Sequence, residues 1–408
     1  MAAKLITITY VVIIVFILPK LGFAQFDGRF VIEQHYLAEE NFFDWKAYQE
    51  PVDWRYDWYE ATNGMRAVIG SISMNRFYFG HEIRLQTDLG EFVSFLYEQR
   101  QESFYGNEPV YQEVAFRFGK EYYYSLIGFP HHEKRFANIG HAISWGERDT
   151  LKHIRVSRLN QFSVYNKKND GDDKRSGNDR YVTTPVLNRF EGKYRFFEKL
   201  FAKLDYRDEA KTVFHSYDEN REKTYEGSDI RLVADWHFHE NSLIGLSLRR
   251  DRETRKLLPL ARSTTVSSDS QALEYEMSDL YCFFPIFEKD RLTVGYLDSR
   301  FLNDIHSDDA PIEYTFYLNS RQLYSKWQYW LSDRMKALYG LQIGDYKIYK
   351  RKKGNSELDD TGGQIKGTVG IQFLKKETFR FLFVSTWDLD LVEDRAWDGG
   401  NVTLQFYF

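Results

Sequence analysis

The chain ends in Asn401-Val402-Thr403-Leu404-Gln405-Phe406-Tyr407-Phe408, which alternates strictly between polar and apolar. Side chains two apart share a face of an extended strand, so Val402, Leu404, Phe406 and Phe408 lie on one side. Asn401, Thr403, Gln405 and Tyr407 lie on the other. A strand buried on both faces would be apolar throughout, so this one divides an apolar environment from a polar one. The same period recurs from about residue 66 onward. Phe77, Phe79, Ile83 and Leu85 alternate with Tyr78, Glu82, Arg84 and Gln86. Ile230, Leu232, Ala234, Trp236 and Phe238 alternate with Arg231, Asp235, His237 and His239. Tyr314, Phe316 and Leu318 alternate with Glu313, Thr315, Tyr317 and Asn319. Phe379, Phe381, Phe383, Trp387 and Leu389 alternate with Arg380, Thr386, Asp388 and Asp390. Around Ile154–Val164 the parity slips, which predicts a bulge or a strand boundary there.

Two kinds of connection separate these segments and take turns along the chain. Short turns fall near 88–91, 119–121, 147–150, 198–199, 239–242, 288–291, 332–335 and 375–377. Longer polar stretches fall near 102–108, 130–135, 166–180, 216–228, 251–270, 302–311, 350–363 and 391–399. The final strand resembles the closing strand of bacterial outer-membrane β-barrels, with Phe408 last and Phe406, Leu404 and Val402 at alternate positions before it. The resemblance implies an all-β, transmembrane, antiparallel up-and-down barrel whose C-terminal residues are the signal read by the barrel-assembly machinery. It also implies short turns in the periplasm and long loops outside. Counting back from Phe408 reaches Glu91 after sixteen strands. One more, ending near Thr87, needs an upgoing partner. Gly28–Glu33 is the candidate, which makes about eighteen. The alternative is a sixteen-stranded barrel with Gly28–Thr87 as a periplasmic or plugging segment.

The N-terminus fits export. Residues 1–24 read as a cleaved signal peptide, with Lys4 in a positive n-region, an apolar run from Leu5 to Leu18, and Gly22 and Ala24 before the cut. That leaves 25–408 as one barrel domain in the outer membrane of a Gram-negative bacterium. Within it, 39–62 does not alternate. Its aromatic residues, broken by Pro51, predict either an interfacial segment or a plug.

Composition adds a second argument. No apolar run long enough for a spanning helix, roughly 18 residues, follows the signal. The mean hydropathy is −0.55, yet aromatic residues make up 17% of the chain, with only 8 Pro. A barrel reconciles these values, since only alternate residues meet lipid and aromatic girdles mark both interfaces. The formal net charge of −5 does not favour a nucleic-acid partner. Cys282 stands alone, so an intramolecular disulfide is excluded.

The lumen face predicted by parity is rich in charge. Arg84, Arg100, Arg117, Arg189, Arg195, Arg231, Arg249 and Arg380 fall on it, with Glu82, Glu98, Glu113, Glu191, Asp235 and Asp388. Such a wall either braces the barrel with ion pairs or sets a field across a water-filled pore. Tyr123, Tyr194, Tyr317 and Tyr339 are candidate sugar-stacking surfaces. His237 and His239 make an H-x-H, too few ligands for a closed zinc site. Acidic pairs such as Asp359-Asp360 are expected in solvated external loops. No G-x-S-x-G, haem motif or calcium loop appears, so no enzyme, metal or cofactor is expected. The expectation is a porin-like channel for small polar or anionic solutes, set among outer-membrane lipid and lipopolysaccharide. Its alternatives are a polysaccharide-export barrel with a separate periplasmic partner, or a structural sheath for a periplasmic electron carrier.

Deleting Phe408 removes both the terminal signal and the last lipid-facing contact. The chain should then be translocated but poorly inserted, seen as loss of the heat-modifiable folded band on gels. Unchanged migration and yield would contradict the resemblance.

Overall fold

Period-2 patterning without helical runs leaves the chain one way to satisfy its backbone, which is strand against strand. The computed structural model describes residues 64–407, apart from connecting stretches at 74–75, 102–109, 130–137, 147–151, 162–179, 184–185, 198, 217–219, 240–241, 261–267, 288–289, 308–312, 353–354, 376–378 and 390–396. The strands are β1 Gly64–Ser73, β2 Arg76–Gly90, β3 Val93–Gln101, β4 Val110–Gly119, β5 Tyr122–Phe129, β6 Asn138–Trp145, β7 Lys152–Gln161, β8 Arg180–Thr183 and β9 Val186–Phe196. They continue with β10 Leu200–Ser216, β11 Arg221–His239, β12 Ser242–Pro259, β13 Asp269–Pro285 and β14 Arg291–Ser307. The last five are β15 Glu313–Ser332, β16 Met335–Lys352, β17 Asn355–Lys375, β18 Phe379–Asp388 and β19 Trp397–Tyr407.

All belong to one 19-stranded sheet. β8 and β9 both pair antiparallel with β10, so they are two pieces of a single wall strand. The wall therefore has eighteen strands. β1 pairs with β2 on one side and with β19 on the other, which closes the ring. A ring of antiparallel neighbours needs an even number of members, and eighteen satisfies it. Following hydrogen-bonded partners once round the wall returns to β1 about twenty residues from the start. With that stagger the strands tilt by about 38° and the wall is about 34 Å across between backbones.

Three expectations need correction. The partner of β2 is Gly64–Ser73 and not Gly28–Glu33, which lies outside the described residues, as do the signal peptide, 39–62 and Phe408. β7 pairs without a register shift on either side and ends at Gln161, so the slip there was a boundary, not a bulge. Several stretches read as loops are strand. β11 begins at Arg221, β12 reaches Pro259, β14 reaches Ser307, and β16 and β17 occupy nearly all of 350–363, Asp359 and Asp360 included. Polarity misled in all of these, and for one reason.

β3 to β7 have 8–10 residues each, close to what a tilted strand needs to cross a bilayer. β10 to β17 have 17–21. They overshoot the membrane at the end opposite the short turns, and there the two faces exchange character. Near the turns the outward positions are apolar, with Ile244 and Leu248 on β12, Leu280 on β13, Val294 and Tyr296 on β14, and Leu323 on β15, all exposed. Further along, the outward positions become Arg250, Arg252, Glu274, Glu276 and Arg300, cross-linked by Arg250–Glu274 (3.1 Å) and Arg250–Glu276 (3.0 Å) ion pairs. The inward face changes in the opposite sense, to a buried cluster of Leu273, Tyr275, Met277, Phe301, Ile305, Phe316 and Leu318. β13 makes this change of phase with an unbroken register to both neighbours. One strand thus crosses lipid and then stands in water. The sequence alternation at Tyr314–Asn319 is real, but Phe316 and Leu318 face in.

Two inward tyrosines fix the spacing of this wall. Tyr281 on β13 lies across Gly245 on β12 and donates to Asp235 on β11. Tyr324 on β15 lies across Gly295 on β14 and donates to Asp279 on β13 over 2.8 Å. A Cβ at Gly245 would fall 2.2 Å from the Tyr281 ring, and one at Gly295 would fall 2.5 Å from the Tyr324 ring.

Gly245→Ala should therefore destabilise the folded barrel by about 1–3 kcal/mol, the usual cost of overpacking. Gly363→Ala should be near neutral, because its Cβ would meet nothing closer than 3.8 Å. Urea unfolding followed by heat-modifiable migration compares the two, and equal midpoints would refute the tyrosine–glycine account.

Candidate functional site

The inward face is the candidate site, and it is built in two unlike halves. On β7 to β12 it is an ion lattice. Register places Arg155, Glu191, Asp205, Arg231 and Arg249 in one line across five strands. Arg189 bonds Glu191 at 2.7 Å and Asp205 at 3.3 Å, and Arg155 bonds Glu191 at 3.4 Å. Arg231 and Arg249 share Asp229, at 3.0 and 3.7 Å, and Arg249 also reaches Asp251 at 3.4 Å. Beyond the apolar belt, Arg207–Glu209 and Arg255–Glu253 pairs extend the lattice. Burial pushes the Glu253 carboxyl up, opposed by Arg255 and reinforced by Glu209 and Asp251. Each acid of the lattice has a cation beside it, so the lattice itself is close to self-neutral.

On β14 to β18 the face is different. Its described inward side chains include Arg291, Lys326, Lys336, Lys366 and Arg380, and no acid. The remainder are largely neutral donors and acceptors, with Gln322 and Gln364 both donating to Ser320. Several cations rest on aromatic rings. Lys336 Nζ is 4.4 Å from the Trp330 ring centre, Lys326 Nζ is 4.7 Å from Tyr324, and Arg291 is 5.9 Å from Phe283. Across the wall, Arg117 sits 4.0 Å over Tyr123. All lie toward the short-turn end. Lys193, Arg195 and Lys203 continue the basic band on β9 and β10, near the same end.

Of the residues singled out by parity, Arg117, Arg189, Arg231, Arg249, Arg380 and Asp235 lie on the inward face. The fold brings Arg189, Arg231 and Arg249 together in the lattice and holds Asp235 apart on Tyr281. For Glu82, Arg84, Glu98, Arg100, Glu113 and Asp388 the described part is the backbone. It pairs Glu82 with Arg100, Arg84 with Glu98, Glu98 with Glu113, and Asp388 with Lys366. Tyr194, Tyr317 and Tyr339 face outward, leaving Tyr123 as the one inward member of that set. Tyr194 instead packs on outward Trp145 and Phe196. The basic lysines were missed because arginine alone was counted. Lys326 and Lys336 sit on inward parity on either side of the 332–335 turn, and that symmetry could have found them. Among the described residues, no three His, Cys, Asp or Glu side chains are placed to hold a metal.

No family model matches the chain, and no curated protein does. Solved structures similar to it include a loop-deletion variant of OmpT, an outer membrane protein of Vibrio cholerae, at TM-score 0.39 and 8% identity, covering 85% of this chain and 97% of that one. A bacterial polysaccharide outer membrane secretin matches at 0.38 and 10%, covering 86% and 99%. OccK10 (OpdN) of Pseudomonas aeruginosa matches at 0.37 and 9%, covering 85% and 98%. At scores this low the fold rests on the strand pairing described above.

Arg189 is the cation that the two acids Glu191 and Asp205 share. Arg189→Met should cost about 1–3 kcal/mol, because Asp205 and Glu191 each lose one charged partner while Arg155 still holds Glu191. Arg189→Lys should recover part of the loss. A denaturation midpoint for Arg189→Met equal to that of the parent would show that the lattice is solvated and contributes little.

Proposed function

We propose that this barrel is an outer-membrane channel for anionic solutes, entered through the basic band near its short turns. The observation that carries this reading is the run of cations on the inward face of β14 to β18, Arg291, Lys326, Lys336, Lys366 and Arg380, against the one acid, Asp388, that register brings to Lys366. Fixed charge on a low-dielectric wall concentrates counter-ions and selects among small permeants. In this reading Arg84, Arg100, Arg117, Arg189, Arg231, Arg249, Arg380, Glu82, Glu98, Glu113, Asp235 and Asp388 line the pore, with Lys326, Lys336 and Lys366 setting its sign. The terminal strand, with Phe408, Phe406, Leu404 and Val402, is what the assembly machinery engages. The short turns then face the periplasm, and catalysis has no part.

A second reading rests on the cation–ring pairs. A sugar acid offers an apolar pyranose face and a carboxylate. Lys336 with Trp330 offers a ring and an ammonium to match. That chemistry suits export of an acidic polysaccharide with a separate periplasmic partner.

Planar-bilayer recordings test both. Replacing Lys326 and Lys336 by Gln should move the reversal potential in a salt gradient toward cation selectivity and leave insertion intact. An acidic oligosaccharide added at the short-turn side should block the parent and not the double variant if the second reading holds. No conductance in either protein would sink the open-channel reading.

A further inference from the structure

Part of the inward basic band is one compact patch. Arg291 on β14 is the register partner of Gln328 on β15. Lys336 on β16 donates to the Gln328 side chain over 3.3 Å, and Lys326 lies two residues from Gln328 on the same face. Trp330, also inward, is the register partner of Lys336. These three cations and the indole are half-buried, so each keeps some surface toward the lumen. The acid next in sequence, Asp290, is buried and accepts from the Trp330 backbone N–H over 3.1 Å.

The chain enters the wall at the same end. Gly64, where β1 begins, pairs with Tyr407, where β19 ends. Residues 39–62 come just before it and carry seven acids, two bases and eight aromatic residues. Asp44-Trp45, Asp53-Trp54 and Asp57-Trp58 each set a carboxylate beside an indole. The outward surface at this end is apolar, with Leu331, Tyr339 and Leu341 exposed, and burying carboxylates against it is costly. The inward patch offers cations and a ring instead. β16 and β15 stand four and five pairings round from β1, a chord of about 25 Å on a wall about 34 Å across. About eight extended residues, at ~3.3 Å each, cover that distance, which brings Tyr56 and everything before it within reach.

We propose that residues 39–62 lie inside the short-turn mouth as a tethered anionic ligand. Their Asp-Trp pairs seat on the patch of Arg291, Lys326, Lys336 and Trp330, matching charge with charge and ring with ring. A segment of this length narrows the lumen without filling it, and it holds the place that an anionic solute takes. The inference rests on the channel reading only in that the wall encloses a lumen; it does not depend on what the basic band selects.

Planar-bilayer recordings and photo-crosslinking of the full chain test it together. Deleting 39–62 should raise single-channel conductance several-fold. Asp44→Asn, Asp53→Asn and Asp57→Asn together keep the length and should give part of that rise; they serve alone if the deletion does not fold, as heat-modifiable migration reports. p-Benzoylphenylalanine in place of Tyr56, irradiated in whole cells, should link to peptides of β14 to β16. Conductance unchanged in both variants, or no link to those strands, would overturn the seat. A rise on deletion with an unmoved reversal potential in the Lys326 and Lys336 variant would keep the seat and remove the anion-selective reading. A moved reversal potential with no rise on deletion would do the opposite.

Discussion

In hydrocarbon every backbone N–H and C=O must find its partner within the protein, since each one left over costs several kcal/mol. A sheet can meet that demand only by having no edge. β1 meets it here by pairing with both β2 and β19, so that first and last described strands are neighbours. Closure then dictates much else. Antiparallel pairing makes the count even, and the stagger of about twenty residues fixes tilt and width together. Because side chains alternate, every residue is committed to lipid or lumen once the register is set. A one-residue slip would send Arg249 into lipid and Leu248 inside.

The same alternation explains what could be read in advance. Strand existence, the short turns and the sixteen wall strands after Glu91 were legible, since apolar residues spaced by two need only local sequence; the first strand was not, being placed at Gly28–Glu33 where the wall uses Gly64–Ser73. Ends were not. On β12 to β15 the apolar set changes parity in mid-strand, as from Leu280 to Met277, and a reader who expects lipid outside takes the change for a loop. The rule is one of solvent: in lipid the outward face is apolar, and in water it is the inward one. Leu273, Tyr275, Phe301 and Phe316 form a core of the ordinary soluble kind, one sheet face packed away from water.

The site was legible by class and not by arrangement. Parity put Arg189, Arg231 and Arg249 on one side, but whether they brace the wall or charge a pore depends on their neighbours across strands. Those neighbours, Glu191, Asp205, Asp229 and Asp251, come from register over five strands. Burial of such a lattice is weak evidence of stability by itself. What the geometry does show is that each of its acids stands beside an arginine, so the lattice carries little net charge of its own.

The unequal height of the wall has a consequence for how the mouth opens. Nine adjacent wall strands, the one made by β8 and β9 and those from β10 to β17, continue past the membrane by up to roughly 20 Å, and the other nine stop nearer its surface. The rim drawn by the strands is therefore a slanted oval, inclined by roughly 30° for a wall about 34 Å across. It faces sideways and not straight along the barrel axis, like the lip of a jug.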